Sequence, residues 1–350
     1  MKIRSGAVGQ LSYRGMARRR KTSYGPGQFD FRPLIEAFQR LSPQARIAVL
    51  AVLLIIGIIA ALVYQRGQPQ QPVREPQVLT APITSTGEAN MLLGNPSGAT
   101  AEVSNRDNYL MVKQYYALSY NNAAGIANWV SWRVAAADLG NAPRKRLFDP
   151  DGELPLGFKR VVSQDYSGSG FDRGHLCPHS DRAADEAMSF STFVMTNIVP
   201  QAPNVNEKAW AHMEAYCRAL VRQQHQRLYI VAGPAGRGGR GSAGLRETIG
   251  RSKVTVPAQC WKVVVSVSES GGADDLAKIN PSTRVITVLM PNDNEVVGDE
   301  WAKYRTSPAE VEQRTGLHFF DRLPPGVAET LRQKVDRVSI TPAQISSGEE

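Results

Sequence analysis

Residues 171–178 read Phe-Asp-Arg-Gly-His-Leu-Cys-Pro, and the core of this stretch is Asp172-Arg173-Gly174-His175. The imidazole of His175 titrates near neutrality and can therefore accept a proton from water. The guanidinium of Arg173 presents a planar fork of donors that fits phosphate oxygens. A base and a phosphate-binding cation two residues apart indicate chemistry on a phosphodiester.

The excess positive charge of the chain lies far from this stretch. The 350 residues have a formal net charge of +9. The first 46 residues carry ten basic and two acidic side chains and supply nearly all of that excess. The remainder is close to neutral, so the basic isoelectric point gives no argument for a nucleic-acid substrate.

An uncharged apolar segment follows the basic leader. Residues 47–64 are just long enough to cross a bilayer as a helix. The leader is too long for the n-region of a cleaved signal peptide, and a buried core helix is the competing interpretation. Because basic flanks stay in the cytoplasm, we expect residues 1–46 to be cytoplasmic and residues 47–64 to be a single-pass anchor in the lipid bilayer. The rest of the chain would then be extracytoplasmic, in a periplasm or at the cell surface.

The remaining sequence predicts one globular domain on a tether. Residues 65–107 are rich in Pro, Gln, Ser and Gly, which is typical of an extended linker, and 341–350 form a polar tail. Residues 108–340 mix strand and helix patterns and predict an α+β domain. The three cysteines leave at least one thiol free. The patterns predict a helix over 206–223 and strands over 115–121, 129–134, 159–166, 227–232, 261–267 and 284–290.

The segment after the central motif offers a metal ligand. Asn206 lies at the start of the predicted helix, and its amide oxygen suits Mg²⁺, which keeps most of its waters. Glu214, two turns later, could hold the waters of the cation. Arg218 could reach phosphate, or it could pair with Glu214 as an ordinary i,i+4 helix pair. Asn204 competes with Asn206 for the role of ligand.

These residues resemble the DNA/RNA non-specific endonuclease family, which includes secreted bacterial nucleases and mitochondrial endonuclease G. The motifs are Asp172-Arg-Gly-His175, then Thr196-Asn-Ile-x-Pro-Gln201, then Asn206 with Trp210 and Glu214. The basic leader and the anchor lie outside the resemblance. It extends over the globular region and also takes in residues 93–97, 120–122, 128–132, 169–171 and 315–317.

The resemblance implies a ββα-metal (His-Me finger) site in an α+β fold with a central antiparallel sheet flanked by helices. His175 would be the general base, and Asn206 would be the one direct protein ligand of Mg²⁺, with Mn²⁺ as a substitute. Arg173 would contact the scissile phosphate, and the products would carry 5′-phosphate and 3′-hydroxyl ends. Four further residues would support the site: Glu214, Arg218, Asp172 and Asn197.

The expected function is a membrane-anchored, Mg²⁺-dependent endonuclease that cleaves DNA and RNA with little sequence preference. A homodimer is left open. Two alternatives remain: a non-catalytic surface protein that captures nucleic acid, and a phosphodiesterase that acts on small molecules.

Two other patterns are weaker. His175, Cys177 and His179 suggest a zinc cluster, but the proline before His179 prevents the helix that would align the two imidazoles. The glycine-rich segment 233–241 lacks the Gly-Lys-Ser/Thr ending of a P-loop, so we expect a mobile loop near the substrate. Two of its side chains are expected to touch the substrate backbone: Arg237 and Arg240.

Overall fold

The computed structural model describes residues 32–52, 89–269, 274–296, 298 and 300–340. The chain divides into two compact units, Met1–Thr80 and Ala81–Glu350.

The first unit contains helix α1 (Arg32–Gln39) and helical residues 43–52, here called α2. Only residues 47–52 of the predicted anchor are described. The rest of the anchor, most of the tether (65–88) and the tail (341–350) lie outside the described residues. Within the described ranges, no helix is both long and apolar enough to cross a membrane. The anchor therefore stays a prediction.

The described strands belong to the second unit. They are β1 (Tyr109–Val112), β2 (Ala117–Asn121), β3 (Ile126–Val134), β4 (Asp172–His175), β5 (Ile198–Gln201), β6 (Gln226–Ala235), β7 (Gly239–Gly241), β8 (Gly244–Arg246), β9 (Thr248–Ile249), β10 (Val254–Thr255), β11 (Gln259–Ser268), β12 (Arg284–Pro291) and β13 (Arg305–Thr306).

The described helices of this unit are short apart from one. They are α3 (Glu186–Ser191), α4 (Ala211–Gln224), α5 (Asp275–Lys278), α6 (Pro308–Thr315) and α7 (Pro325–Arg332). A π-helical turn, Val205–Trp210, leads directly into α4. Single 3₁₀ turns cover Arg106–Asn108, Ala136–Asp138, Ser163–Tyr166, His179–Arg182, Met195–Asn197 and Trp301–Tyr304.

Seven strands form one antiparallel sheet in the order β1-β2-β3-β6-β11-β12-β13. Side chains alternate between its faces: Trp132 packs into one apolar cluster with α4, whereas Trp129 packs into another with α6 and α7. Because both faces are covered, the central strand β11 is buried continuously over 260–265. The predicted α+β class with a central antiparallel sheet and flanking helices is confirmed.

Most predicted elements are confirmed with shifted ends, but the strand over 159–166 is wrong. The carboxylate of Asp165 accepts hydrogen bonds from the backbone N–H of Val162 at 3.1 Å and of Ser252 at 3.0 Å. These bonds stabilise the 3₁₀ turn Ser163–Tyr166 in place of strand pairing.

Packing of the second unit begins upstream of the predicted boundary at residue 108. Leu93 and Ala99 are buried in the same cluster as Trp129. The indole Nε1 of Trp129 donates a hydrogen bond to Ser97 Oγ at 2.7 Å. The end of the predicted tether is therefore part of the core. All three cysteines are buried free thiols: Cys177, Cys217 and Cys260.

Candidate active site

Two short strands and a helix carry the motifs of the sequence. β4 pairs antiparallel with β5, so that Asp172 lies opposite Gln201 and His175 lies opposite Ile198. The chain then leaves β5 and enters the π-helical turn and α4. This β-β-α arrangement brings the end of β4 to the start of the helix.

Gly174 allows β4 and β5 to lie close together. A Cβ at this position would lie 2.2 Å from Oε1 and 2.6 Å from Cβ of Gln201, which is fully buried. Any side chain here would push the strands apart, so the glycine between Arg173 and His175 has a steric reason.

Asn292 attaches β5 to the main sheet just after β12. Its Oδ1 accepts a hydrogen bond from the Ala202 N–H at 2.7 Å, and its Nδ2 donates to the Pro200 carbonyl at 2.9 Å. Asn292 is itself buried. The position of the helix start relative to the sheet therefore depends on an asparagine that no sequence motif indicated.

A cavity of about 340 Å³ lies where the end of β4 meets the helix. Four predicted site residues line it: His175, Asn206, Glu214 and Arg218. Three predicted residues are outside the lining: Arg173, Asp172 and Asn197. The remaining lining consists of Arg144, Pro178, His179, Ser180, Glu207, Trp210 and Ala211.

The imidazole of His175 is buried, and its Nε2 has no hydrogen-bond partner among the described residues. The rings of Phe148 and Phe193 lie 5.3 Å and 4.8 Å from it, centroid to centroid. Burial, with smaller contributions from Arg144 and His179, lowers the pKa of His175 from 6.5 to about 3. The imidazole is therefore neutral at physiological pH, as a general base must be.

Asn206 is oriented by Asp172. Its Nδ2 donates a hydrogen bond to Asp172 Oδ2 at 3.0 Å, which leaves the amide oxygen as the atom that can bind a cation. Asn204 is engaged elsewhere, because its backbone N–H and its Nδ2 donate to Oδ1 and the carbonyl of Asn294 at 3.0 and 2.6 Å. Of the two asparagines, only Asn206 lines the cavity.

This donor set fits a hydrated hard cation. Across the described part of the chain, no three or more His, Cys, Asp or Glu side chains are grouped to hold a metal, so the zinc cluster is not formed. A single neutral oxygen beside a cavity with room for water suits Mg²⁺, which takes few protein ligands.

Glu214 forms a buried ion pair. Its Oε1 lies 3.1 Å from Lys262 Nζ, and the Lys262 side chain is 1 % exposed. That ammonium group also lies 4.3 Å from the ring centroid of Trp210 and 5.5 Å from that of Trp132. Burial raises the pKa of the Glu214 carboxyl, and Lys262 opposes that shift. Lys262 was missed, although a lysine within the apolar run of β11 was a usable signal.

Arg218 is held at the cavity wall by Asp181. Its Nη1 lies 3.2 Å from Asp181 Oδ1, and the other oxygen of that carboxylate accepts a hydrogen bond from Trp132 Nε1 at 3.0 Å. The i,i+4 pair between Arg218 and Glu214 is not formed, because each has a partner from another element.

Arg173 lies beside the cavity. Its guanidinium is 5.6 Å from the ring centroid of Phe148, which also contacts His175. Its Nη2 donates to the Ser163 carbonyl at 3.4 Å. Arg173 therefore flanks the histidine and points toward the segment before β4.

Asn197 has a structural position. Its side chain is fully buried and makes three hydrogen bonds. Oδ1 accepts from the Cys177 N–H at 3.0 Å, and Nδ2 donates to the carbonyls of Cys177 and Thr192 at 2.8 and 2.9 Å. It ties the loop after His175 to the turn before β5.

Two lining residues, Arg144 and His179, were not predicted. The Arg144 guanidinium lies 5.6 Å from the ring centroid of Phe193. Burial, then Arg144 and Arg218, lowers the pKa of His179 to about 4. The basic run 144–146 was a signal for Arg144, whereas His179 looked like an ordinary structural histidine.

The arginines of the glycine-rich segment are paired with acids. Arg237 lies 3.3 Å from Glu247, and Arg240 lies 3.7 Å from Asp293 and 3.6 Å from Glu295. Part of the predicted mobile loop forms the β7–β8 hairpin.

Comparison with known proteins agrees with this geometry. The sequence profile of the DNA/RNA non-specific endonuclease family matches residues 95–326. A nuclease from a Nostoc species is 47 % identical over 247 residues, covering 71 % of this chain and 86 % of the relative. The mouse mitochondrial nuclease EXOG is 31 % identical over 215 residues, covering 59 % of this chain and 56 % of the relative.

The fold is also similar to a solved structure. A chain from a crystal structure of the EndoG/EndoGI complex superposes with a TM-score of 0.55 at 26 % identity, covering 70 % of this chain and 95 % of that one. The profile match spans the sheet, the β4–β5 pair and α4. The chain therefore belongs to the DNA/RNA non-specific endonuclease family, a family of hydrolases that act on nucleic acids.

Proposed function

We propose that the chain hydrolyses internal phosphodiester bonds of DNA and RNA with little sequence preference. The observation that carries this proposal is the neutral, buried imidazole of His175, whose Nε2 has no described protein partner, in a cavity shared with Asn206 and Arg218. A base, a hard oxygen ligand and a cation around one cavity are what hydrolysis of a phosphodiester requires.

The proposed cofactor is Mg²⁺, with Mn²⁺ as a substitute, held by the amide oxygen of Asn206. A bound divalent cation would offset negative charge on the phosphoryl oxygens and assist departure of the 3′ oxygen. Support comes from the hydrogen bond to Asp172, which directs the Asn206 amide, and from the space for water beside it.

The protein side chains would divide the remaining work. Nε2 of His175 would take a proton from the attacking water. Arg218 and Arg144, on the cavity wall, would bind phosphoryl oxygens, and Arg173 would bind the substrate beside Phe148. Glu214, held by its ion pair, would accept hydrogen bonds from water in the cavity. In-line attack with departure of the 3′ oxygen would leave 5′-phosphate and 3′-hydroxyl ends.

Cleavage of plasmid DNA and total RNA by the purified chain, with Mg²⁺ and with EDTA, tests the activity. We expect both substrates to be degraded with Mg²⁺ and spared with EDTA. Binding without cleavage would support a capture protein, and turnover of bis(p-nitrophenyl) phosphate alone would support a small-molecule phosphodiesterase. Asn206→Ala should raise the Mg²⁺ concentration needed for half-maximal rate.

We also propose that residues 47–64 anchor the enzyme in a membrane with its nuclease domain outside the cytoplasm. The apolar length and the basic leader support this topology. External protease should remove the domain from whole cells or from spheroplasts. Protection in both preparations would contradict the outward orientation.

A further inference from the structure

A groove of about 840 Å³ lies outside the catalytic cavity and shares no lining residue with it. One wall is residues 162–169, which precede β4, and the other is residues 246–252, from the end of β8 through β9. We call it the distal groove. Its lining is mostly hydroxyl, backbone and guanidinium groups, which is the chemistry of a phosphate-binding surface.

The charge of the distal groove is positive. Arg246 and Arg251 are exposed, and neither makes an ion pair within the described residues. The nearby Arg237 and Arg240, in contrast, are both paired with acids. Asp165 is the one acid in the lining, and its carboxylate already accepts backbone N–H bonds. Two arginines are thus free for an anionic ligand.

The distal groove adjoins the catalytic site through Arg173. The Arg173 guanidinium contacts the carbonyl of Ser163, which lies between two lining residues, and it faces the ring that contacts His175. Ser169, at the other end of this wall, precedes His175 by six residues. These six residues span at most about 22 Å, which is about six nucleotide steps at roughly 3.4 Å per step.

Close backbone contact attaches the arginine wall to the motif strand. The Ser242 N–H donates to the Gly170 carbonyl at 2.9 Å. A Cβ at Gly170 would lie 2.5 Å from the Ala243 nitrogen, and one at Gly241 would lie 2.3 Å from the Gly170 oxygen. The β7–β8 hairpin that ends at Arg246 is therefore fixed against the residues leading into β4.

We propose that the distal groove binds the sugar-phosphate backbone of the substrate strand a few nucleotides from the scissile bond, with Arg246 and Arg251 each contacting a phosphate. This proposal rests on the proposed nuclease function. It makes the enzyme sensitive to substrate length, because only a long strand reaches both the catalytic cavity and the distal groove.

The test compares Arg246→Ala/Arg251→Ala with wild type on a 20-nucleotide strand and on bis(p-nitrophenyl) phosphate. We expect KM for the long strand to rise about tenfold at near-unchanged kcat, with the salt slope of log(kcat/KM) smaller by about 2. Turnover of the small ester should not change. Arg246→Lys/Arg251→Lys should restore most of the affinity, because the phosphate contact needs charge.

Arg322→Ala is the matched control. Arg322 is exposed and lies between Phe320 and Leu323, which pack on the opposite sheet face from Ile249 of the distal groove. It should behave as wild type on both substrates. An unchanged KM and salt slope in the double variant would overturn the proposal, as would equal losses on both substrates. A wild-type chain that cleaves neither substrate would instead reject the nuclease function itself.

Discussion

The imidazole of His175 lies between two phenyl rings and near Arg144 and His179, and these surroundings lower its pKa from 6.5 to about 3. The pH dependence of kcat/KM reports the pKa of the essential base in the free enzyme. The acidic limb of the profile should therefore lie well below pH 6.5. From the sequence alone, activity was expected to rise through the ordinary imidazole range. A limb centred near 6.5 would show that the base is solvated in the working enzyme.

Arg144→Met gives a second reading of the same pKa. Removing this positive charge should raise the pKa of His175, so the acidic limb should move to higher pH even if the maximal rate falls. Rate profiles of the two proteins over the acidic range measure the shift. Arg322→Ala, which removes an arginine from the other sheet face, should leave the limb in place.

The low pKa also links folding to pH. Between about 3 and 6.5, the unfolded imidazole of His175 binds more protons than the folded one. The free energy of unfolding should therefore fall as pH drops through this window and should be fully present above it. In His175→Asn this part of the dependence should be absent, as measured by urea denaturation at several pH values.

The buried pair of Glu214 and Lys262 predicts a stability effect that is not additive. Lys262→Met leaves the Glu214 carboxylate without its counterion and should lower the free energy of unfolding by about 3 kcal/mol or more. Adding Glu214→Gln should recover part of this loss. Denaturant unfolding of both single variants and the double variant forms the cycle. Strict additivity would mean that the two charges do not interact.

The spacing of β4 and β5 depends on Gly174. Gly174→Ala places a methyl group against Gln201 and should cost about 1–3 kcal/mol of stability, with a larger loss of activity because His175 moves with the strand. Gly152→Ala is the control, since nothing lies within 4 Å of a Cβ there. Equal melting temperatures and rates in Gly174→Ala and wild type would contradict this account of the motif.

Local patterns predicted those elements whose formation depends on their own residues. The apolar runs that became β6, β11 and β12 and the helical spacing of α4 are of this kind. The segment 159–166 failed because Asp165 bonds to Ser252, which is distant in sequence. Arg144, Lys262 and Asn292 were missed for the same reason, since each acquires its role only when separate elements pack together.

Packing of the whole nuclease unit includes residues upstream of 108. A chain that begins at residue 89 should be as stable as the full chain. One that begins at 108 loses the burial of Leu93 and the Ser97 bond to Trp129, and should be less stable by about 3 kcal/mol. Urea denaturation of the two truncated chains makes the comparison. Equal midpoints would return residues 89–107 to the tether.

The account of the whole molecule rests on His175 as the general base. The most direct measurement is plasmid cleavage by His175→Ala, with and without added imidazole, at matched melting temperature. We expect the rate to fall by about 10²–10⁴-fold and to recover in part as imidazole is added. A variant that folds normally and cleaves within tenfold of the wild-type rate would contradict the central claim.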